Sequence, residues 1–365
     1  MGKKIIWFLD SKKYRFSGIL NYSLPYIKLL KNSFNLDIEE VWLPDNLVSK
    51  VFIKYVGSFV KSYCHYNTLK IFCDESYLPI FQIPIDNSIC IVHDIRSLHL
   101  KFFRSKRERV YFNLLKKFYK NMENCEAVVT PSRFTKREIK KFFDVTCLVI
   151  PSPIDLNIYR PIEKKTEEIK KFLKRKYNLR DLEKRKMILY VGSEETRKNV
   201  DIILRALENL SDEVIFIKIG KAIIQENRIK NLQLCEKLNI CAYFLDHVSQ
   251  KDLIAFYNIA DVFVLPSEYE GFGRTVLEAQ ACGCPVIASN RGALAEVVDK
   301  SAMILKDPKN AAELEKKIEK ILYDKNLRKK FIKRGLGNVK RFEIKKHAKT
   351  WYNVISHFGL KNRDG

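Results

Sequence analysis

The sequence lacks long hydrophobic runs and the usual spacings of metal-binding residues. The apolar stretch Ile5–Leu9 is far shorter than the roughly 20 residues that cross a bilayer, so no transmembrane segment is expected. None of the nine cysteines forms a Cys-x-x-Cys pair, and the six histidines include no i, i+4 pair, which disfavours a zinc site. The odd number of cysteines in mostly apolar surroundings predicts reduced, buried thiols and a cytoplasmic protein.

Acidic residues are scarce relative to basic ones. The 365 residues include 43 Asp and Glu against 67 Lys and Arg, a net charge of +24, while the apolar content of 46% is that of a globular protein. The length predicts about two domains. The excess of positive charge favours anionic partners, which could be phosphates, anionic lipid or nucleic acid.

Short apolar segments alternate with longer helical patterns along the whole chain. This order predicts an α/β protein with doubly wound parallel sheets. Prolines cluster between Pro151 and Pro161, which predicts domains at residues 1–160 and 161–340 and a C-terminal helix at 341–365 that returns to the first domain. If two Rossmann-like domains face a central cleft, the residues that directly follow strands are the ones expected to bind ligands.

The most informative segment follows the predicted strand Val262–Leu265. Glu270 precedes the triplet Gly271-Phe272-Gly273, and Glu278 lies about one turn into the helix that begins near Arg274. Glycines allow close backbone approach to a ligand, and a helix N-terminus favours an anion. Acidic residues near a helix start are also common as dipole compensation, which is the simpler interpretation of Glu278 taken alone.

This segment resembles the E-x7-E signature of the retaining GT-B glycosyltransferases of family 4 (glycosyl transferases group 1), in their mannosyl- and glucosyl-transferring branch. The resemblance extends nearly residue for residue from Glu270 to Val298. It implies that Glu270 holds hydroxyl groups of a donor sugar and that Glu278 holds the ribose of the nucleotide. It also implies that the amides of Gly271, Phe272 and Gly273 approach the sugar and the phosphates.

Other segments of the chain extend the resemblance. Arg197 and Lys198 follow a strand and a glycine and match the basic group that holds the donor diphosphate, although both could simply belong to a very basic surface. Gly18 matches a glycine loop that closes over the donor. His93, in the pair His93-Asp94, matches a histidine that touches the transferred sugar, whereas a single histidine after a strand is more often structural. With Glu270, His93 is the predicted catalytic residue.

The resemblance implies a hexosyltransferase. Mannose or glucose would move from a nucleotide-diphosphate sugar to a glycan or lipid-linked acceptor. The sequence contains no Asp-x-Asp pair, so we expect neither a metal nor a cofactor, and fixed cations would stabilise the leaving diphosphate instead. The alternatives are a GT-B-like phosphorylase or epimerase, or a basic nucleic-acid-binding protein. Nucleic acid is not the expected partner, because the lysines are spread along the chain and no recognised binding motif is present.

A basic, aromatic segment at Lys101–Lys120 offers a possible membrane contact. Its apolar residues Phe103, Val110, Leu114 and Phe118 can share one face of a helix flanked by lysines and arginines, and such a helix can lie on an anionic membrane. The simpler interpretation is a helix whose apolar face packs on its own sheet. We therefore expect a cytoplasmic protein that could be peripheral on the cytoplasmic face of the membrane.

Overall fold

The chain divides into two α/β units. The computed structural model describes residues 4–10, 18–42, 60, 68–81, 84–99, 106–162 and 166–359. Unit 1 comprises Met1–Pro153 together with Phe342–Gly365, and unit 2 comprises Ile154–Arg341.

Unit 1 is built, within its described residues, on a parallel sheet of six strands. These are β1 (Ile5–Leu9), β2 (Ile38–Trp42), β3 (Leu69–Phe72), β4 (Ser88–Ile91), β5 (Ala127–Thr130) and β6 (Cys147–Val149). Their order in the sheet is β2-β1-β3-β4-β5-β6. The helices that come before the chain enters unit 2 are α1 (Gly18–Phe34), α2 (Lys106–Lys120) and α3 (Arg133–Phe143).

Unit 2 repeats this plan with a second parallel sheet of six strands. These are β7 (Lys186–Val191), β8 (Val214–Ile219), β9 (Ala242–Leu245), β10 (Val262–Leu265), β11 (Val286–Ser289) and β12 (Met303–Leu305). Their order is β12-β11-β10-β7-β8-β9. The helices are α4 (Thr166–Tyr177), α5 (Val200–Ala206), α6 (Gln225–Lys237), α7 (Gln250–Ile259), α8 (Arg274–Ala281), α9 (Leu294–Val298), α10 (Ala311–Tyr323) and α11 (Lys325–Val339).

Burial on both faces explains why the central strands are almost continuous apolar runs. Every residue of β1, β4, β8 and β10 is buried, as expected for parallel strands covered by helices on both sides. The predicted α/β class with two doubly wound parallel sheets is confirmed. Within the described residues, no helix is both long and apolar enough to span a bilayer.

The chain passes from unit 1 to unit 2 after Pro153, earlier than the boundary at 160 that the prolines suggested. Residues 154–162 belong to unit 2, and hydrogen bonds to α7 hold this segment in place. Asn258 Nδ2 donates to Arg160 O at 3.2 Å, and Asn258 Oδ1 accepts from Ile162 N at 2.7 Å. Gln250 Nε2 lies 3.3 Å from the hydroxyl of Tyr159, whose residue is almost wholly buried.

The last helix, α12 (Ile344–Gly359), belongs to unit 1. Trp351 has no exposed surface and lies in the core of unit 1, with its ring centroid 5.0 Å from that of Trp7 and 6.2 Å from that of Tyr26. The end of the chain therefore supplies part of the core around its first strand.

The replacement Trp351→Ala should destabilise unit 1 strongly. Removing a buried tryptophan leaves a cavity and costs about 3–5 kcal/mol. Asn353 lies on the exposed face of the same helix, so Asn353→Ala should change stability by less than about 0.5 kcal/mol. Urea unfolding followed by tryptophan fluorescence and circular dichroism measures both. Equal stability of the two variants would show that α12 does not stabilise the core.

Candidate functional site

Two loops of unit 2 meet at the carboxyl edge of its sheet and bring three predicted residues together. Strands β7 and β10 are neighbours and parallel, so the loops that follow them leave the same edge. Lys198 Nζ lies 2.5 Å from Glu270 Oε1, and Arg197 Nη1 lies 3.7 Å from the same oxygen. Arg197 Nη1 also donates to the carbonyl of Tyr269 at 2.7 Å.

Backbone contacts hold the two loops together. Residues 196–198 form one 3-10 turn, which ends at Asn199 with a left-handed φ of 52°. The Asn199 side chain donates to Pro266 O at 2.9 Å, and Glu268 N donates to Arg197 O at 2.8 Å. The positions of Arg197 and Lys198 are therefore set by main-chain geometry as well as by their own ion pairs.

The carboxylate of Glu270 is charged despite its burial. Its side chain is 12% exposed, as is that of Lys198. Burial raises the pKa of Glu270, but the charges of Lys198 and Arg197 outweigh that effect, and the pKa lies below the ordinary value. Arg197 is shared, since its Nη2 also donates to Glu195 Oε2 at 2.9 Å. The site thus holds two cations and two carboxylates at the edge of the sheet.

A glycine on a third loop fixes the backbone of Glu270. Gly292 has a left-handed φ of +61°, and a Cβ there would lie 2.5 Å from Glu270 O and 2.7 Å from Glu270 N. The next residue, Ala293, donates its N–H to Glu270 O at 2.9 Å. Only glycine allows this close approach without moving the loop.

The predicted triplet Gly271-Phe272-Gly273 connects Glu270 to α8. Gly273 has a left-handed φ of +91° and is the residue at which the helix begins. Phe272 is buried. Glycine suits the turn because a side chain would be strained at this φ, and a Cβ there would also collide with the side chain of Leu294.

Glu278, in α8, lies in a separate buried network. Its Oε1 accepts from Arg274 Nε at 2.8 Å, and its Oε2 accepts from Tyr257 OH at 3.0 Å. Burial and the neighbouring Glu278 carboxylate raise the pKa of Tyr257. Both oxygens of Glu278 therefore already accept a hydrogen bond from the protein, and a ribose would have to share them.

Two predicted residues, Gly18 and His93, belong to unit 1. Gly18 begins α1, and His93 follows β4. His93 Nε2 lies 2.9 Å from Cys73 O, and the ring of Tyr22, from α1, meets the His93 ring edge-on at 5.2 Å. Burial lowers the pKa of His93, so the imidazole is neutral at pH 7 and Nε2 carries the proton that Cys73 O accepts.

Sequence reasoning missed an acidic residue beside His93. Glu75 follows β3, and its Oε2 accepts the backbone N–H of His93 at 3.2 Å. Burial, then the charges of Asp74 and Asp94, raise the pKa of Glu75 to about 8. The pair Asp74-Glu75 directly after an apolar strand was the available signal.

Sequence reasoning also missed a buried ion cluster near Lys198. It joins Glu194, Lys218 and Arg228 in unit 2. Lys218 inside the apolar strand Val214–Ile219 was the sequence signal for it. In the part of the chain that the structure describes, no three His, Cys, Asp or Glu side chains form a group suited to a metal ion.

The segment that carries this site matches a known protein family. Residues 170–337 match the family described as "Glycosyl transferases group 1". The segment includes both loops of the ion pair and all of α8.

Curated relatives cover more of the chain. O-antigen chain mannosyltransferase B of Escherichia coli is 24% identical over 377 residues, which cover 93% of this chain and 96% of that protein. The serotype-specific mannosyltransferase WbdA of Escherichia coli is 27% identical over 297 residues, which cover 77% of this chain and 34% of WbdA. This chain thus corresponds to about a third of the length of WbdA.

Solved structures resemble the whole chain. Anabaena HepE in complex with UDP and glucose superposes with a TM-score of 0.73 at 19% identity, covering 97% of this chain and 100% of HepE. Sucrose-phosphate synthase of Thermosynechococcus elongatus gives a TM-score of 0.75 at 18% identity, covering 97% and 98%. The fold is that of GT-B glycosyltransferases, and within it residues 170–337 match the glycosyl transferases group 1 family.

Proposed function

We propose that this protein transfers a hexosyl group, mannose or glucose, from a nucleotide-diphosphate sugar to a glycan or a lipid-linked acceptor, with retention of the anomeric configuration. The observation that carries the proposal is the meeting of Lys198 and Arg197 with Glu270 at the carboxyl edge of a glycosyl transferases group 1 domain. A pair of fixed cations suits a diphosphate, and a carboxylate suits sugar hydroxyls.

Donor binding would exchange one anion for another. Before the donor binds, Glu270 pairs with Lys198 and, together with Glu195, with Arg197. The diphosphate would take over the two cations, and Glu270 would turn to the hydroxyl groups of the sugar. The amides of Gly271, Phe272 and Gly273 and the N-terminus of α8 would add hydrogen bonds to the phosphates. Glu278 would share its oxygens with the ribose.

The transfer step would break the bond between the anomeric carbon and the diphosphate oxygen. The acceptor oxygen would form its bond to the same carbon on the same face, and its proton would pass to the departing phosphate. Lys198 and Arg197 would stabilise the charge that develops on the leaving group. Glu270 would orient the sugar, His93, with its neutral ring, would have the sugar contact that the resemblance implies, and no metal would be required.

The comparisons support the choice of donor and sugar. HepE was solved with UDP and glucose, which supports a nucleotide sugar as the donor here. The names of two relatives point to mannose. We therefore expect GDP-mannose or UDP-glucose to be used ahead of ADP-glucose.

A donor screen tests the activity. Purified protein should slowly hydrolyse one of GDP-mannose, UDP-glucose and ADP-glucose to free sugar, and the anomer first released, followed by NMR, should be the one present in the donor. EDTA should leave the rate unchanged, because Lys198 and Arg197 supply the counter-charge. Loss of activity on chelation, with recovery on adding Mn²⁺, would contradict the metal-independent mechanism. Turnover of none of the donors, or phosphorolysis instead of transfer, would contradict the activity.

The replacement Glu270→Gln should separate binding from turnover. It removes the carboxylate that competes for Lys198, so affinity for the nucleoside diphosphate should rise by roughly tenfold, the scale of one charge-assisted hydrogen bond. Turnover should fall by about 100-fold, since the sugar loses its charged partner. Titration with UDP and GDP and initial rates measure the two effects.

Glu278→Gln is the matched control for that replacement. Because a ribose contact persists in the ground and transition states, this variant should weaken nucleotide binding and leave the maximal rate nearly unchanged. Weaker nucleotide binding by Glu270→Gln would contradict the proposed exchange of anions.

We also propose that unit 1 presents a basic surface to an anionic membrane. Two adjacent grooves flank α3, and both are lined by Lys140 and Lys141. The basic surface also contains Lys116, Lys117 and Lys120 of α2 and Arg133, Lys136 and Arg137 of α3. Phe142 and Leu148 in these grooves are 39% and 40% exposed.

This surface overlaps the one predicted at Lys101–Lys120 only at the C-terminal end of α2 and lies mainly on α3. Residues 101–105, including Phe103, lie outside the described residues, and the side chain of Val110 is not described either. Leu115 and Phe118 pack against the core of unit 1, whereas Leu114 is exposed, so the apolar residues described in the C-terminal half of α2 are partly used internally. The eight cysteines among the described residues are free thiols, as suits the cytoplasmic face of a membrane.

Vesicle binding tests the basic surface. Protein should co-sediment with phosphatidylglycerol vesicles and be released by salt, because each basic residue contributes on the order of 1 kcal/mol within a Debye length. Lys140→Gln/Lys141→Gln should reduce binding markedly. Lys329→Gln/Lys330→Gln, exposed on α11, removes the same charge elsewhere and should reduce it little. Equal losses in both variants, or equal binding to phosphatidylcholine, would contradict a specific surface.

A further inference from the structure

A buried cluster of charges lies next to the loop that carries Lys198. Glu194 is in that loop, and its side chain and that of Lys218, in β8, have no exposed surface. Lys218 Nζ lies 2.5 Å from Glu194 Oε1. Arg228 of α6 donates from Nε to both carboxylate oxygens, at 2.7 and 2.9 Å, and its Nη2 lies 2.8 Å from Asp246.

The cluster is balanced in charge. Burial raises the pKa of Glu194, but Arg228 and Lys218 outweigh that effect and leave the pKa below its ordinary value. Burial lowers the pKa of Lys218, and Glu194 offsets part of that shift. A buried ion pair of this kind is often no more stabilising than an apolar pair of the same volume. Overall stability is therefore a weak reason for its presence.

Glu194 also ties the loop to α6 through its backbone carbonyl. Asn227 Nδ2 donates to Glu194 O at 2.6 Å, and Asn231 Nδ2 lies 3.4 Å from Glu194 Oε2. Arg228 stacks over the ring of Phe244, with its guanidinium carbon 5.1 Å from the centroid. Both the main chain and the side chain of Glu194 are thus held.

The ends of β7 and β8 are also closely packed, which further restricts the loop that carries Lys198. A Cβ on Gly220, which has a φ of +128°, would lie 2.7 Å from Gly192 O. Lys218 Nζ also donates to the carbonyl of Gly220. The first residues of the loop after β7 are therefore closely packed and have little conformational freedom.

The loop is held from its other side by the contacts of Arg197 and Asn199 with residues 266–270. Between the two anchors, Lys198 N donates to Glu195 O at 2.8 Å, which closes the turn. A change at Glu194 would therefore reach Lys198 through the three intervening residues of constrained backbone.

We propose that Glu194 is a positioning residue, which, with Lys218 and Arg228, fixes the loop so that Lys198 and Arg197 are preorganised for a diphosphate. This rests on the proposed function of the site. Glu194 itself is buried away from solvent and acts through Lys198. Preorganisation matters because a ligand that must first order the loop binds more weakly.

Nucleotide titration tests the proposal. UDP, GDP and ADP are titrated into wild type, Glu194→Gln and Asn227→Ala by calorimetry, with thermal melting measured in parallel. Glu194→Gln should weaken nucleotide binding by about tenfold. Asn227→Ala removes the hydrogen bond to the backbone of Glu194 and leaves the buried charges in place, so it should also weaken nucleotide binding. This variant replaces Glu194→Gln in the test if Glu194→Gln does not fold.

A matched control separates positioning from general destabilisation. Asp252 is 2% exposed and pairs with Lys176 at 2.6 Å and with the Tyr177 hydroxyl at 2.7 Å, none of which lies in the loop. Asp252→Asn should lower the melting temperature without changing nucleotide affinity. If Asp252→Asn weakens nucleotide binding as much as Glu194→Gln, Glu194 has a merely structural role.

A double-mutant cycle identifies the path of the effect. If Glu194 acts through Lys198, the loss caused by Glu194→Gln should shrink in a Lys198→Met background. Fully additive losses would overturn the proposal, as would unchanged affinity in Glu194→Gln and Asn227→Ala. If wild type binds none of the three nucleotides, it is the proposed function of the site that fails.

Discussion

The ion pair between Lys198 and Glu270 is the interaction around which the candidate site of unit 2 is organised. It joins the loop after β7 to the loop after β10, and these loops meet because the two strands are parallel neighbours. A charged pair that is mostly removed from water needs further partners, and Arg197 supplies one. The contacts at Gly292 and Asn199 maintain the geometry that this pair requires.

The other charged side chains near this ion pair are also paired with opposite charges. Glu195 shares Arg197, and Glu194 binds Lys218 and Arg228 beneath the loop. Each buried charge near the carboxyl edge thus has an opposite partner. This balance holds the cations and carboxylates of the candidate site in surroundings largely shielded from water, where their interactions are strengthened.

Much of the fold could be predicted from the sequence because parallel strands buried on both faces are continuous apolar runs. The α/β class and the segments that follow strands were predicted in this way, whereas the E-x7-E segment was identified by its resemblance to a known family. The hydrogen-bonding partners of the residues in that segment could not be predicted from the sequence. Glu278 reads as a ligand-binding carboxylate, yet its partners Arg274 and Tyr257 come into view only when α7 and α8 are packed together.

The sequence by itself determined the kinds of element, their order and the chemistry available at each loop, since these depend on local periodicity and residue type. Tertiary structure alone decided which charges pair. Lys218 is a lone lysine in an apolar strand until β7 and α6 pack beside it and bring Glu194 and Arg228 within hydrogen-bonding distance. Pairings of this kind depend on strand order, and strand order is a long-range property that no short window of sequence contains.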